Sequence, residues 1–556
     1  MANSPASGRR PNRQGTSAWR GARAVKRRLT PSVRVLILLL VALSIPTTPA
    51  LLGGQFVTRR SPSGLDLGGA PVAGGEEHWY TRNLALLDSS APDPWRERRK
   101  VAERSGTHRP IQWMVLRPDL HLLLNTDRPW GRNDGVVWAG RGITTAVQGG
   151  LAGRWGPVRA QVAPVAFRAE NSPFHLTPNG RAGLLAFGDA RFPRNIDLPQ
   201  RFGDDAYQRL DLGDSYLDVS GFGVIGGVST ARQIWGPARD HPLVLGTNAG
   251  GFPHLFAGTS RPWSVGIGEV EGRLITGQIA QSTWSPVQSG ERRRFTSALT
   301  GTFVPRGIPW LTVGGNREVQ GPWPAEGLTL DRVLRPFEGI LNDGTTNINT
   351  NRENGFVSVF FRAAFAPDGV EVYGEMSRED FANDVRWLVQ KPDDLTALVL
   401  GFARSWRPDA SRLAVLRVEL VNGDLSHHER GQRGLSEPIP PYIHLNGTPQ
   451  GLTSRGQILG SPVAYSGSGL TAEFTLYTPR GRHTVGLDRV LELDWSRAVG
   501  TTATPQVKHA LKFERLTFRG ASDLTITIAP TYTLNARLES GRDVLGLHAQ
   551  LRWRGW

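Results

Sequence analysis

From residue 111 to the C-terminus, apolar and polar residues alternate in short runs separated by Gly, Pro and Asp. The last segment shows it best. In GLHAQLRWRGW, Leu547, Ala549, Leu551 and Trp553 fall on one face of an extended chain, and His548, Gln550, Arg552 and Arg554 on the other. Leu524-Thr525-Ile526-Thr527-Ile528 alternates in the same way. Arginine at every second position is hard to bury in a sandwich core, but it suits a strand with one face on lipid and the other on a watery lumen. The pattern predicts an all-β chain folded as a transmembrane antiparallel β-barrel.

Connection lengths extend this reading. Bacterial barrels of this type have short turns on the periplasmic side, long loops outside and an even number of strands. Counting back from a last strand at 544–556, short turns rich in Gly, Pro and Asp fall at 519–523, 479–483, 406–410, 367–369 and 304–309, all on the periplasmic side. The long irregular connections 423–465, 377–393, 319–354 and 169–208 then all fall outside. Carried to a start near Ile111, the count gives about 18 strands, so residues 111–556 are expected to form the barrel. The loops 169–208, 319–354 and 423–465 are expected to fold over its lumen.

The N-terminal part differs. Its first 35 residues hold nine Lys and Arg and no acid, and the apolar run VLILLLVALSI and then PTTPA follow. A charged stretch, an apolar run shorter than the roughly 20 residues of a spanning helix, and small residues up to Ala50 make residues 1–50 a secretory signal peptide. In 51–110, EEHWYTRNLALLD and DPWRERRKVAERSG read as two helices, with Asp93 capping the second and Pro94 at its first position. They are expected to form a small periplasmic segment that closes the inner mouth.

The connection TARQIWGPARDHPLVLGTNAGGFPHLFAGTSRPW, at 230–263, places Trp235 at the external mouth by the same count, with Arg239, Asp240, His241 and Asn248 facing the outer vestibule or upper lumen. Its WGPxxD…L.L..NA..FP…RPW pattern resembles the capsule assembly protein Wzi family. NDGVVWAGRG at 133–142, APVAFRAENSPF downstream, VEVYGEMSREDF at 370–381 and LNGTPQGLTSRGQILGSP at 445–462 share the likeness. The resemblance implies an 18-stranded outer-membrane barrel with a helical periplasmic segment, acting as a surface lectin that holds capsular polysaccharide or exopolysaccharide on the cell. The chain departs from that family in a shorter 51–110 region and in a terminal Trp556 out of phase with the apolar face.

A glycan site needs flat aromatic rings and groups that make directional hydrogen bonds. The outer segments supply Trp130, Arg132 and Asp134; Trp235, Arg239, Asp240, His241 and Asn248; Arg378, Asp380 and Trp387; and His427, His428, Tyr442, His444 and Arg455. Any of these can equally be a girdle or loop residue, Trp130 and Trp387 as girdle aromatics and Trp235 as a turn residue beside its Gly-Pro.

Composition removes other classes. The chain has no cysteine, hence no disulfide, thiolate nucleophile or Cys-ligated metal. Its net charge of +16 is concentrated in the leader, leaving about +7 over the rest and no dense basic patch for nucleic acid. No HExxH or GxSxG spacing is present, His427 and His428 point to opposite sides of an extended chain, and Glu379 and Asp380 are adjacent rather than opposed. The expected protein is a monomer in outer-membrane lipid, exported, without cofactor, metal or catalysis, whose partner is polysaccharide. The rival is a diffusion channel for small solutes or oligosaccharides.

Overall fold

The computed structural model describes residues 76–87, 93–95, 111–287, 292–338, 353–366, 368–379, 396–423, 442, 450–465, 467–492 and 504–555. The segment 1–50 lies outside them, as does the second predicted helix beyond Trp95.

One antiparallel sheet closes on itself, the first strand, Ile111–Asn125, pairing with the last, Val544–Arg554, from Asp119↔Arg554 to Asn125↔His548. Among the described residues the sheet comprises 21 hydrogen-bonded strands. Three passes are each split in two, by irregularities near Pro164, Gly213 and Arg261, so the barrel has 18 passes, the expected number. Short turns such as 479–480 and 520–521 gather at one rim and the long connections at the other. The turn expected at 406–410 comes slightly later: the strand Thr396–Asp409 continues through a bulge after Trp406 and turns at 410–411.

The alternation of the C-terminal segment is realised as predicted. Leu547 and Leu551 are exposed on the outer wall, whereas Arg552 faces inward and donates from Nε to Asp119 at 2.8 Å. Leu122, Val147, Leu400, Leu420, Val485, Phe513 and Ile526 continue an outward apolar band of the kind a bilayer core covers.

The inward faces between 268 and 490 depart from the simple rule of apolar outside and polar inside. Ile275, Ile279, Ala298, Phe356, Val399 and Val421 point into the lumen and are fully buried. They pack against residues of three connections that enter the barrel: Phe192 and Ile196 from 170–206, Trp235, Leu243 and Leu245 from 230–253, and Tyr442, Leu452 and Leu459 from the described part of the third, residues 442 and 450–465. The barrel thus contains a hydrophobic core of the globular kind. The third expected lid behaves differently. Within 319–354, the helix Leu330–Leu334 and the turn Arg335–Phe337 lie on the outer wall, where they bury the outward-facing Phe295, Ser297 and Val319. Ser297 Oγ donates to the Val333 carbonyl at 2.8 Å.

At the short-turn rim the helix Glu76–Leu84 forms within the first expected segment, with Glu76 and Glu77 in its first turn, where the helix dipole favours acids. Asp93 Oδ1 accepts the Trp95 N–H at 2.8 Å in a local turn; the helix it was expected to cap lies outside the described residues. Tyr80 stacks on Trp95 at 4.2 Å between ring centroids, both rings meet Tyr477 edge-on, and Trp95 Nε1 donates to the Thr478 carbonyl at 3.0 Å. Trp95→Ala is expected to weaken the docking of 76–95 by about 3 kcal/mol while leaving the barrel closed. Limited proteolysis should cut that segment faster, with heat-modifiable gel migration unchanged.

Candidate functional site

The segment 230–253 has no regular secondary structure inside the barrel, so its backbone groups need partners from elsewhere. Trp235 N donates to Leu245 O at 3.1 Å, Gly246 N to Leu459 O at 2.8 Å, and Gly135 N to Thr247 O at 2.8 Å. At its deepest point Arg239 N, Asp240 N and His241 N all donate to the carboxylate of Glu419 on the strand Arg412–Asn422, at 3.0, 2.9 and 2.6 Å. Tyr373 OH donates to the same carboxylate at 2.7 Å. Gly236, at φ +87°, lies against Glu375; an added Cβ would sit 2.5 Å from its Oε2, so the chain passes there only as glycine.

This depth changes the expected position of several candidates. Trp235 is not at the mouth but 1% exposed in the core. Arg239 stands over the Trp79 ring at 5.4 Å, on the helix Glu76–Leu84, and Arg82 of that helix donates to Pro237 O at 2.8 Å while pairing with Glu371. Asp240 pairs with Arg417, and its carbonyl accepts Asn133 Nδ2 at 3.1 Å. Arg132 pairs with Asp488 at 2.5 Å and contacts His241 Nε2 at 3.3 Å. The apolar residues of this stretch draw it inward and the wall carboxylates fix its tip, so these groups are consumed in holding the segment.

The remaining candidates scatter. Asn248 Nδ2 donates to Ile458 O at 2.9 Å. Trp130 is half-buried and its carbonyl accepts Asn125 Nδ2 at 3.0 Å. Burial raises the Asp134 carboxyl to about 7 in spite of nearby Arg552, Arg232 and Arg132. Tyr442 is buried, its hydroxyl on Leu243 O and its ring 5.3 Å from Phe356. Arg378 is buried on the outward side of the wall, facing away from the lumen. Asp380, Trp387, His427, His428 and His444 lie outside the described residues.

Among the described candidates, Arg455 keeps a place at the long-connection rim, with 36% of its side chain exposed. It sits at φ +52° at the tip of a hairpin whose strands are Thr453–Ser454 and Gln457–Ile458. Its N–H donates to Ala280 O at 2.7 Å, and its guanidinium pairs with Asp211, which also holds Arg209. Gly456 beside it, at φ +82°, allows the hairpin to close on Phe202; an added Cβ would lie 2.9 Å from that ring.

Phe202 leads to an aromatic group that the sequence reading did not assemble. It stacks on Tyr207 at 4.4 Å, lies 4.7 Å from Trp138 and meets Trp284 edge-on at 5.2 Å. Phe202 is buried, whereas Trp138, Tyr207 and Trp284 are each partly exposed. Asn171 fixes the loop, its Nδ2 within 3.1 Å of the carbonyls of Phe202, Gly203 and Asp205. Partly exposed rings next to an Arg–Asp–Arg chain are the pairing of flat apolar surface and directional polar groups that a sugar requires.

No family model matches the chain, and no curated protein matches it. Among solved structures, it is similar to Wzi, an outer membrane protein of Escherichia coli involved in group 1 capsule assembly and described as a carbohydrate-binding β-barrel. The identity is 13%, the TM-score 0.53, and the match covers 82% of this chain and 86% of that one. OccAB1 of Acinetobacter baumannii (9% identity, TM-score 0.38, 81% and 98% covered) and OprD of Pseudomonas aeruginosa (11%, 0.34, 79% and 92%) are more distant in shape. The likeness to Wzi supports the barrel fold.

Removing the wall carboxylate in Glu419→Ala leaves the buried His241 N–H unsatisfied, at a cost of roughly 1–3 kcal/mol, and takes the partner from the part-buried N–H groups of Arg239 and Asp240 as well. The tip of 230–253 is expected to undock, and planar-bilayer recordings should show larger conductance steps than the parent protein. His241 supplies a pH dependence. Burial, and then Arg132, push its pKa down to about 4, and with Arg132 donating to Nε2 the neutral ring donates from Nδ1 to Ser461 Oγ at 3.1 Å. Because the folded pKa lies below the unfolded value of about 6.5, the unfolded state binds more protons between the two, so this contribution falls as pH drops from about 6.5 to 4. Hydrogen exchange within 230–253 should quicken over that window relative to the rest of the barrel, and His241→Gln should flatten the response.

Proposed function

We propose that this protein is an outer-membrane barrel that binds capsular polysaccharide or exopolysaccharide at its long-connection rim and helps hold it on the cell surface, without catalysis. The observation that carries this reading is the aromatic group of Trp138, Phe202, Tyr207 and Trp284 beside Arg455, Asp211 and Arg209, at a mouth whose lumen is occupied by 230–253 and its neighbours. The lumen contents favour a surface binder over a conduit, because the interior packs as a core. The sequence likeness to the Wzi family and the carbohydrate-binding description of the similar barrel support the substrate class.

A diffusion channel is the second reading, and one observation favours it. Along one side of the lumen the inward side chains of Arg159, Lys512, Arg552 and Arg554 retain partial exposure, unlike the packed wall opposite. The decisive measurement is the distribution of polysaccharide between cells and medium in a strain lacking the protein, complemented with the parent, with Tyr207→Ala/Trp284→Ala or with Arg455→Ala. Shedding of normally synthesised glycan in the deletion and in both complements is the expected result. Retained glycan with reduced uptake of small solutes, and steady conductance from the purified parent, would instead establish the channel.

A further inference from the structure

The outward wall carries a feature that the mouth does not use. Across the passes from 268 to 409, paired positions on the membrane-facing side lack side chains or carry modest ones: Gly272 pairs with Gly301, Gly301 with Gly315, Gly315 with Val359 and Val359 with Met376. The result is an apolar trough of about 770 Å³, lined by Gly301, Val313, Val359, Met376, Leu398 and Leu400 among others. That volume is within the range of small-molecule sites. Val359, Leu398 and Leu400 are 56%, 44% and 57% exposed, so the trough opens outward and not into the lumen.

One cross-strand row nearer the long-connection rim, the same outward face carries Arg317 paired with Val357, and Val357 paired with Arg378. Arginine on the lipid side of a barrel is costly unless it lies near the head-group layer. Arg317 is 7% exposed, yet no hydrogen bond or ion pair holds it among the described residues; the charges felt there are Glu338, and the repelling Arg335. Beside it the outer-wall helix presents Leu330 and Leu334 to the surroundings, 72% and 40% exposed, which sets this level at the boundary between apolar and polar layers. A guanidinium that is largely buried and that no hydrogen bond or ion pair holds among the described residues, next to an open apolar trough, is complementary to a phosphate with an acyl chain attached.

We infer that this face binds one anionic membrane lipid, its phosphate at Arg317 and its acyl chain in the trough floored by Gly301. The site rests on the outward face meeting lipid and is independent of what the mouth binds. Gly301 is suited to a test, since an added Cβ there meets nothing nearer than 3.7 Å and its backbone is not left-handed.

The experiment is native mass spectrometry of the full-length protein in detergent, titrated with phosphatidylglycerol or with phosphatidylethanolamine of the same chains. One phosphatidylglycerol per barrel, preferred by roughly tenfold, is expected, as one charge-assisted hydrogen-bonded contact provides. Arg317→Gln should remove the preference, Arg317→Lys should keep most of it, and Gly301→Leu should weaken retention of both lipids, with heat-modifiable migration confirming that each variant is folded. Equal retention of the two lipids by the parent protein overturns the proposal, whatever the variants do. A preference that survives both Arg317→Gln and Gly301→Leu overturns it as well. Neither outcome bears on glycan shedding.

Discussion

The carboxylate of Glu419 accepts three consecutive backbone N–H groups at the tip of an irregular segment, and the interior arrangement depends on that contact. A chain without helix or strand inside a barrel has no ladder of its own, and each unpaired group away from water would cost as much as a lost hydrogen bond. The wall meets this demand with charged and amide side chains. Arg294 reaches the carbonyls of Gly451 and Thr453, Asn248 Nδ2 donates to the Ile458 carbonyl, and Gln457 Nε2 donates back to the Asn248 carbonyl. Once these polar debts are met, the apolar residues of the same segments can pack, and Trp235, Leu243 and Leu459 become a core. The helix at the opposite rim extends the chain of contacts through Arg82, which joins Pro237 to Glu371.

Much of the wall was legible in the sequence. Alternation depends only on the two-residue period of a strand and on the contrast between lipid and the interior, so residues 544–554 could be oriented from the sequence alone. Turn spacing was legible because Gly, Pro and Asp mark short turns, and the parity of an even-stranded barrel did the rest. The interior was not. Whether a long connection projects outward or dives inward depends on contacts with residues hundreds of positions away, such as Glu419 for 239–241, and no local pattern encodes them. The direction of 330–338 was hidden for the same reason: Val333 finds its partner in Ser297 on the outer wall.

The candidate site shows the same division. Arg239, Asp240 and His241 had the chemistry expected of a ligand site, but groups able to bind a sugar are equally able to bind a wall carboxylate or a backbone. Trp138 stood within the NDGVVWAGRG stretch at 133–142, whereas nothing in the local pattern singled out Trp284. Their convergence on Phe202 was not legible, because it depends on the course of 170–206 and on Asn171 holding its carbonyls.

The place of 230–253 in the chain has a consequence for how such a molecule comes to exist. The segment joins two short passes about a third of the way round the ring, Val224–Ser229 and His254–Thr259, whereas the ring is sealed by pairing of the first strand with the last. It is tethered at both ends to the wall it fills. A stopper of this kind cannot be delivered to a finished cylinder as a separate body; the cylinder has to be wound around it, and the final seam is sewn over contents already in place.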